Sequence, residues 1–227
     1  MKKIGLLCAS DTELAPFLPH IQSPVLSERA MLRFLDGTLC GLPVTALYSG
    51  VCKVNAAIAV QLLIDFYQVD AVINAGTAGG IDPSVGLFDT VAAERCIYHD
   101  VEEDILTDFH PWMPTAFFEA DPGLLAAASA CAADFARPVR LGTIVSGEQF
   151  VENEKRAELQ KRFSPLAADM ESAAAAHVCY VNRIPFLSVR TVTDTADHTG
   201  LVSFEQNLET ASRVCADFVM EIAKHLL

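Results

Sequence analysis

Short apolar runs of strand length alternate along this chain with longer stretches of helical periodicity, and that alternation restricts the fold more than any other feature. The strand candidates are KIGLLCA (3–9), PVTALYSG (43–50), DAVINAG (70–76), the stretch from Leu87 to Ile97, VRLGTIVS (139–146) and PFLSVRTVT (185–193). Helices are expected near residues 11–19, 53–67, 122–136, 152–162, 171–182 and 204–226. Such an order predicts an α/β domain built on a central, largely parallel sheet. With 227 residues, 52% hydrophobic and 20% charged, the chain can bury a sizeable core. No repeat, low-complexity tract or linker divides it, so residues 1–227 read as a single domain.

Charge and cysteine usage exclude several function classes. A net charge of −13 repels a phosphate backbone, and no Lys/Arg run exceeds two residues, so nucleic acid is not an expected partner. The start MKKIGLLCAS imitates a lipoprotein signal, but its apolar run is far shorter than the roughly 7–15 residues of a signal core. No segment reaches the ~18 continuous apolar residues of a membrane span. The seven cysteines are scattered without C-x-x-C spacing and several sit in apolar runs. They read as reduced core residues, which implies the cytoplasm. The helix KVNAAIAVQLLIDFY is apolar on nearly every face, so one side is expected to meet a second subunit.

Open α/β sheets bind ligands outside the carboxyl ends of their strands. Four such ends carry polar groups or glycines: SDTE (10–13), GTAGG (76–80), GEQF (147–150) and TDTAD (193–197). Each also has a bland reading. SDTE is a capping box between Ser10 and Glu13. GTAGG lacks the G-x-G-x-x-G spacing of a dinucleotide fingerprint. Asp194 and Asp197 can terminate a strand. In AADMESAAAAHV, Asp169 and Glu171 can serve the start of a helix as cap and first-turn acid. The cluster YHDVEEDILTDFH, from His99 to His110, matches no recognised zinc or calcium spacing and reads as a solvated acidic loop, so no metal is expected.

In combination these segments carry a family resemblance. IGLLCASDTEL, SGVCKVNAA, INAGTAGG, YHDV, IVSGEQFV, DMESAAAAHVC, IPFLSVRTVTD and LVSFEQ, in this order and separation, resemble the bacterial 5′-methylthioadenosine/S-adenosylhomocysteine nucleosidases of the purine nucleoside phosphorylase superfamily. The resemblance runs end to end. It implies a phosphorylase/hydrolase-like fold with a mixed, twisted sheet flanked by helices, a homodimer, no cofactor, and hydrolysis of an adenine N-ribosidic bond. Asp194 matches the general acid that protonates purine N7, a role that calls for burial or neighbouring negative charge. Glu13 matches the carboxylate that orients and deprotonates water, with Thr77 and Arg190 around that water. Glu171 matches the acceptor of the ribose hydroxyls and Met170 the residue against the sugar. Phe150 matches the aromatic stacked on adenine, Val151 the residue whose backbone meets the base edge, and Phe204 a wall near the 5′ substituent. The first loop carries acids and no arginine, which favours water over phosphate as nucleophile. An aminofutalosine-type nucleosidase, a phosphorylase and a non-catalytic nucleoside sensor are the alternatives. Two departures stand out: Cys52 replaces a usual glycine, and the segment from Glu102 to Asp108 is acidic where the family is often apolar. A carboxylate there would be placed to pair with the ammonium of a homocysteine tail, with Phe109 and Trp112 supplying apolar contacts in the blander reading.

Overall fold

A computed structural model describes residues 3–109, 113–197 and 200–227. The elements run β1 (Ile4–Cys8), α1 (Asp11–Leu14), a 3-10 turn (Ala15–His20), β2 (Ile21–Arg29), β3 (Leu32–Leu39), β4 (Leu42–Tyr48), α2 (Lys53–Asp65), β5 (Ala71–Gly80), β6 (Thr90–Tyr98), α3 (Glu103–Asp108), β7 (Phe117–Glu119), α4 (Pro122–Ala132), β8 (Val139–Ser146), α5 (Asn153–Phe163), β9 (Ala167–Asp169), α6 (Ser172–Asn182), β10 (Phe186–Asp194) and α7 (Gly200–His225).

Among the described residues all ten strands join one sheet, in the order β10-β6-β8-β9-β5-β1-β4-β3-β2, with β7 added beside β6. Because β10 also pairs with β5, the strands β5, β10, β6, β8 and β9 close into a ring. Closure removes sheet edges on that side. On the other side β1, β4, β3 and β2 extend as an open wing, whose outer strand β2 carries Pro24 and a register shift between Gln22 and Val25. Both features discourage pairing with another chain at that edge.

The sheet is mixed, as the resemblance implied, and less parallel than the alternation suggested. Parallel pairing holds at β1–β4, β1–β5, β5–β10, β6–β8 and β8–β9, but β2–β3, β3–β4, β5–β9, β6–β7 and β6–β10 are antiparallel. The strands absent from the sequence reading are β2, β3, β7 and β9. Strand β2 is almost wholly exposed, so it lacks an apolar run, while β7 and β9 have three residues each. The helix expected at 11–19 is one α turn followed by the 3-10 turn, because Pro16 and Pro19 remove backbone donors. Residues expected as an acidic loop instead form the short helix α3.

The core lies on both faces of the sheet. On one, Leu47, Val60, Leu63 and Val72 pack with the alanines Ala173 to Ala176 of α6. On the other, Leu6, Ile73 and Leu187 pack with Phe218, Val219 and Ile222 of α7. The small side chains of α6 let its backbone approach β6, β8 and β10, and the start of that helix is tied to the ends of β9 and β8 by hydrogen bonds from Ser172 N–H to Asp169 and from Ala173 N–H to Ser146 Oγ.

Candidate active site

Strands β1, β5, β8 and β10 end around a cavity of about 220 Å³. It is lined by Glu13, Thr77, Phe150, Val151, Met170, Glu171, Asp194 and Phe204 among others. Every expected site residue except Arg190 therefore reaches this wall. Arg190 lies directly behind it, fully buried.

Glu13 does both jobs that its sequence context allows. Its backbone N–H donates to the Ser10 hydroxyl oxygen at 3.2 Å and its own carboxylate accepts from the Ser10 N–H at 3.2 Å, completing the capping box. Oε2 also accepts from Ala9 N–H at 2.7 Å, while Oε1 accepts from the N–H and hydroxyl of Thr77 at 2.7 and 2.9 Å. Those donors fix a buried carboxylate at the cavity wall. Gly76 permits the arrangement: a Cβ there would stand 2.4 Å from Arg190 Nη1 and 2.5 Å from Glu13 Oε1.

Arg190 is the hub of the acids. Its Nε lies 2.8 Å from Asp169 Oδ2, its Nη2 3.3 Å from Glu171 Oε2 and its Nη1 3.8 Å from Glu13 Oε1. Burial works against the guanidinium charge, but the carboxylates of Asp169, Glu171 and Glu13 outweigh it and hold the Arg190 pKa above its ordinary value. The same crowding acts on Glu171. Burial is the main cause that pushes its carboxyl up to about 7, Arg190 and the Cys52 N–H pull it down, and Asp169 and Glu13 push it further up. Its Oε1 accepts from Cys52 N–H at 2.8 Å.

Asp169, read from the sequence as a helix cap, turns out to be a junction. It accepts from Ser172 N–H at 3.2 Å, which serves the first turn of α6, and from the Ser146 hydroxyl at 2.5 Å, besides its pair with Arg190. Only the three-dimensional crossing of β8, β9 and β10 brings those partners together.

Asp194, at the end of β10, is 1% exposed. Thr193 Oγ1 donates to its Oδ1 at 2.8 Å, and Arg156 of α5 donates to its Oδ2. Among the described residues the group paired with the expected acid is a guanidinium. Sequence reading missed Arg156 because nothing in ENEKRAEL distinguishes it from a solvated helix residue, yet it is 4% exposed.

The segment between β8 and α5 forms the remaining wall. Phe150 is half-exposed and stands edge-on to Phe204 of α7, ring centroids 6.1 Å apart. Beneath it the buried His99 ring abuts Gly147, where a Cβ would lie 2.3 Å from His99 Cε1. Burial lowers the His99 pKa. Asp100 accepts from Glu148 N–H at 3.0 Å and pairs with Lys53 Nζ at 2.9 Å, tying this segment to the start of α2. His99 and Asp100 therefore support the wall. Glu103, Asp104 and Asp108 are exposed on α3, and none of them lines the cavity. His110 and Trp112 lie outside the described residues.

Cys52 stands in a backbone conformation of the kind glycine adopts. Its φ of 85° and ψ of 163° fall in a region that side chains rarely adopt. That conformation aims its N–H at Glu171.

Comparisons with known proteins show the family and the fold. The model of the phosphorylase superfamily matches residues 3–224. The 5′-methylthioadenosine/S-adenosylhomocysteine nucleosidase of Halalkalibacterium halodurans is 36% identical over 233 residues, covering 100% of both chains. Among solved structures, the nucleosidase of the same description from Neisseria meningitidis, in complex with methylthio-immucillin-A, is 32% identical with a TM-score of 0.90 and 99% of each chain covered. The futalosine hydrolase of Helicobacter pylori is 27% identical with a TM-score of 0.89, covering 98% of this chain and 97% of that one.

Proposed function

The chain belongs to the phosphorylase superfamily and, within it, to the 5′-methylthioadenosine/S-adenosylhomocysteine nucleosidases, and from that premise we propose that it hydrolyses the N-ribosidic bond of both nucleosides, releasing adenine and the 5′-thioribose. The observation that carries the reading is the convergence of Glu13, Glu171 and Asp194 on one cavity whose other walls are Phe150, Met170 and Phe204. Adenine stacks on Phe150 with its edge against the Val151 backbone, the sugar lies on Met170 with its hydroxyls donating to Glu171, and the 5′ group points toward Phe204. As the C1′–N9 bond breaks, its electron pair moves into the purine and Asp194 delivers a proton to N7. Water held by Glu13 adds its oxygen to C1′ and gives its proton to Glu13. General acid–base help of this kind contributes about 100- to 10,000-fold.

Water is favoured over phosphate by the charge of the site. No lysine or arginine is among the described residues that line the cavity, and Arg190 is already engaged by Asp169, Glu171 and Glu13. A phosphate dianion would meet carboxylates with no free cation. The one sheet that runs through all the strands supports reading residues 1–227 as a single domain. The working form is a homodimer: Val51, Val54 and Ile58 around α2 and Tyr180 and Val181 on the adjoining α6 are 42–68% exposed. All seven cysteines are free, which fits a reducing cytoplasm.

The test is adenine release from methylthioadenosine, adenosylhomocysteine and aminofutalosine, in phosphate-free and high-phosphate buffer, by the parent and Asp194→Asn. Phosphate-independent release from the two thionucleosides, lost in Asp194→Asn, is expected. A ribose 1-phosphate product, or release confined to aminofutalosine, overturns the assignment.

A further inference from the structure

One buried charge at the site has no part in the reaction as described so far. Arg156 projects from α5, away from the cluster around Arg190. Its Nη2 donates to Asp194 Oδ2, its Nη1 donates to the Gly80 carbonyl, and its Nε has no hydrogen-bond partner among the described residues. Burying a guanidinium is costly unless its partners are good, so its presence calls for a reason. Attachment of α5 to the sheet is not that reason. Leu159 and Phe163 of α5, with the preceding Val151, already pack against Ile81, Val145 and Ala168.

The two oxygens of Asp194 are held differently. Oδ2 is fixed by an arginine that is itself braced on a strand carbonyl. Among the described residues Oδ1 accepts from Thr193 Oγ1 at 2.8 Å, and that hydroxyl has a second acceptor within reach, the Ala78 carbonyl at 3.3 Å. Turning the Thr193 hydroxyl onto Ala78 frees Oδ1 while Oδ2 stays anchored. Resting on the reading of Asp194 as the acid, we propose that Arg156 is its positioning residue: it anchors Oδ2, leaves Oδ1 as the oxygen that serves the purine, and compensates the negative charge that Asp194 acquires as its proton leaves.

The bonds that change are the Oδ1–H bond, which breaks, and the H–N7 bond, which forms. The carboxylate left behind already has its counter-charge in place and needs no reorganisation. Arginine suits the position better than lysine, since two separate directions must be served by one rigid fork. Arg156 also follows Phe150 and Val151 in the same segment, so the wall that receives the base and the brace on the acid are set by one piece of chain.

The experiment is single-turnover and steady-state adenine release by Arg156→Gln, Arg156→Lys, Asp194→Asn and the double variant Arg156→Gln/Asp194→Asn. Arg156→Gln should lower kcat about 10- to 100-fold, the loss expected for one hydrogen bond to an ionised group, with KM within about threefold. Arg156→Lys should recover part of it, and remains informative if the glutamine variant folds poorly. In the Asp194→Asn background, Arg156→Gln should cost nothing further, because the residue acts only through the carboxylate. An unchanged kcat in both Arg156 variants, a loss confined to KM, or an equal loss with and without Asp194 overturns the inference. Full activity in Asp194→Asn alone overturns the acid assignment and the inference with it, whereas an inactive Asp194→Asn beside fully active Arg156 variants overturns the inference only.

Discussion

A ribose that donates its hydroxyls to Glu171 must expel a proton from it. The carboxyl is pushed up to about 7 by burial, so near neutral pH about half of the empty sites hold a proton there. Two hydroxyl donors favour the ionised form, and at roughly 1.5 kcal/mol each they lower its pKa by about two units in the complex. Proton release on binding then amounts to about 0.5 per site at pH 7, rises to about 0.8 near pH 6 and falls below about 0.1 at pH 8.5. The direction follows from the sign of the shift: a raised carboxyl is protonated before binding and ionised after it, so affinity increases with pH up to about 7 and then levels off. The measurement is isothermal titration calorimetry in buffers of different ionisation enthalpy. A 7-deaza thionucleoside is the right ligand, because it lacks N7 and cannot take up a proton from Asp194. Glu171→Gln should abolish the release and weaken binding. The reasoning is refuted by a binding event that releases no proton at pH 6 and 7, or by the same release from Glu171→Gln.

Three further outcomes are expected. Cys52→Gly removes a side chain from a glycine-type conformation and should relieve about 1–3 kcal/mol of strain, offset by up to about 1 kcal/mol of added unfolded-state freedom; urea unfolding should place the variant between neutral and about 3 kcal/mol more stable, and a clear destabilisation contradicts the strain. Gly147→Ala puts a methyl 2.3 Å from the buried His99 ring, so the wall must move. Overpacking of about 1–3 kcal/mol should appear as a lower Tm, and displacement of Phe150 as a raised KM; an unchanged KM would mean that Phe150 does not receive the base. Light scattering at micromolar concentration should give twice the chain mass, and replacing Val54 and Ile58 together by glutamate should halve it.

The site was legible where local pattern and chemistry coincide. Glu13 sits in a capping box that reads from four residues, Thr77 in a glycine-rich strand end, Asp194 at the close of an apolar strand, and these lie at or near the carboxyl ends of β1, β5 and β10. The fold was legible to the same extent: the buried strands β1, β4, β5, β6, β8 and β10 announce themselves as apolar runs, whereas β2 is exposed and β7 and β9 are too short to carry a period. What stayed hidden depends on contacts between residues distant in sequence. Asp169 and Arg156 look like an ordinary helix cap and an ordinary helix charge; their partners Arg190 and Asp194 lie 21 and 38 residues away, and only the burial of both ends separates them from surface pairs. The acidic segment at 102–108 reads from its composition as a solvated stretch, and the structure exposes its carboxylates on a short helix. A charge is informative here in proportion to what its burial would cost. Glu102 to Asp108 lose little by facing water, but Arg190 and Arg156 are held out of water at a cost that only their carboxylate partners offset, and those partners are the groups on which the proposed reaction depends.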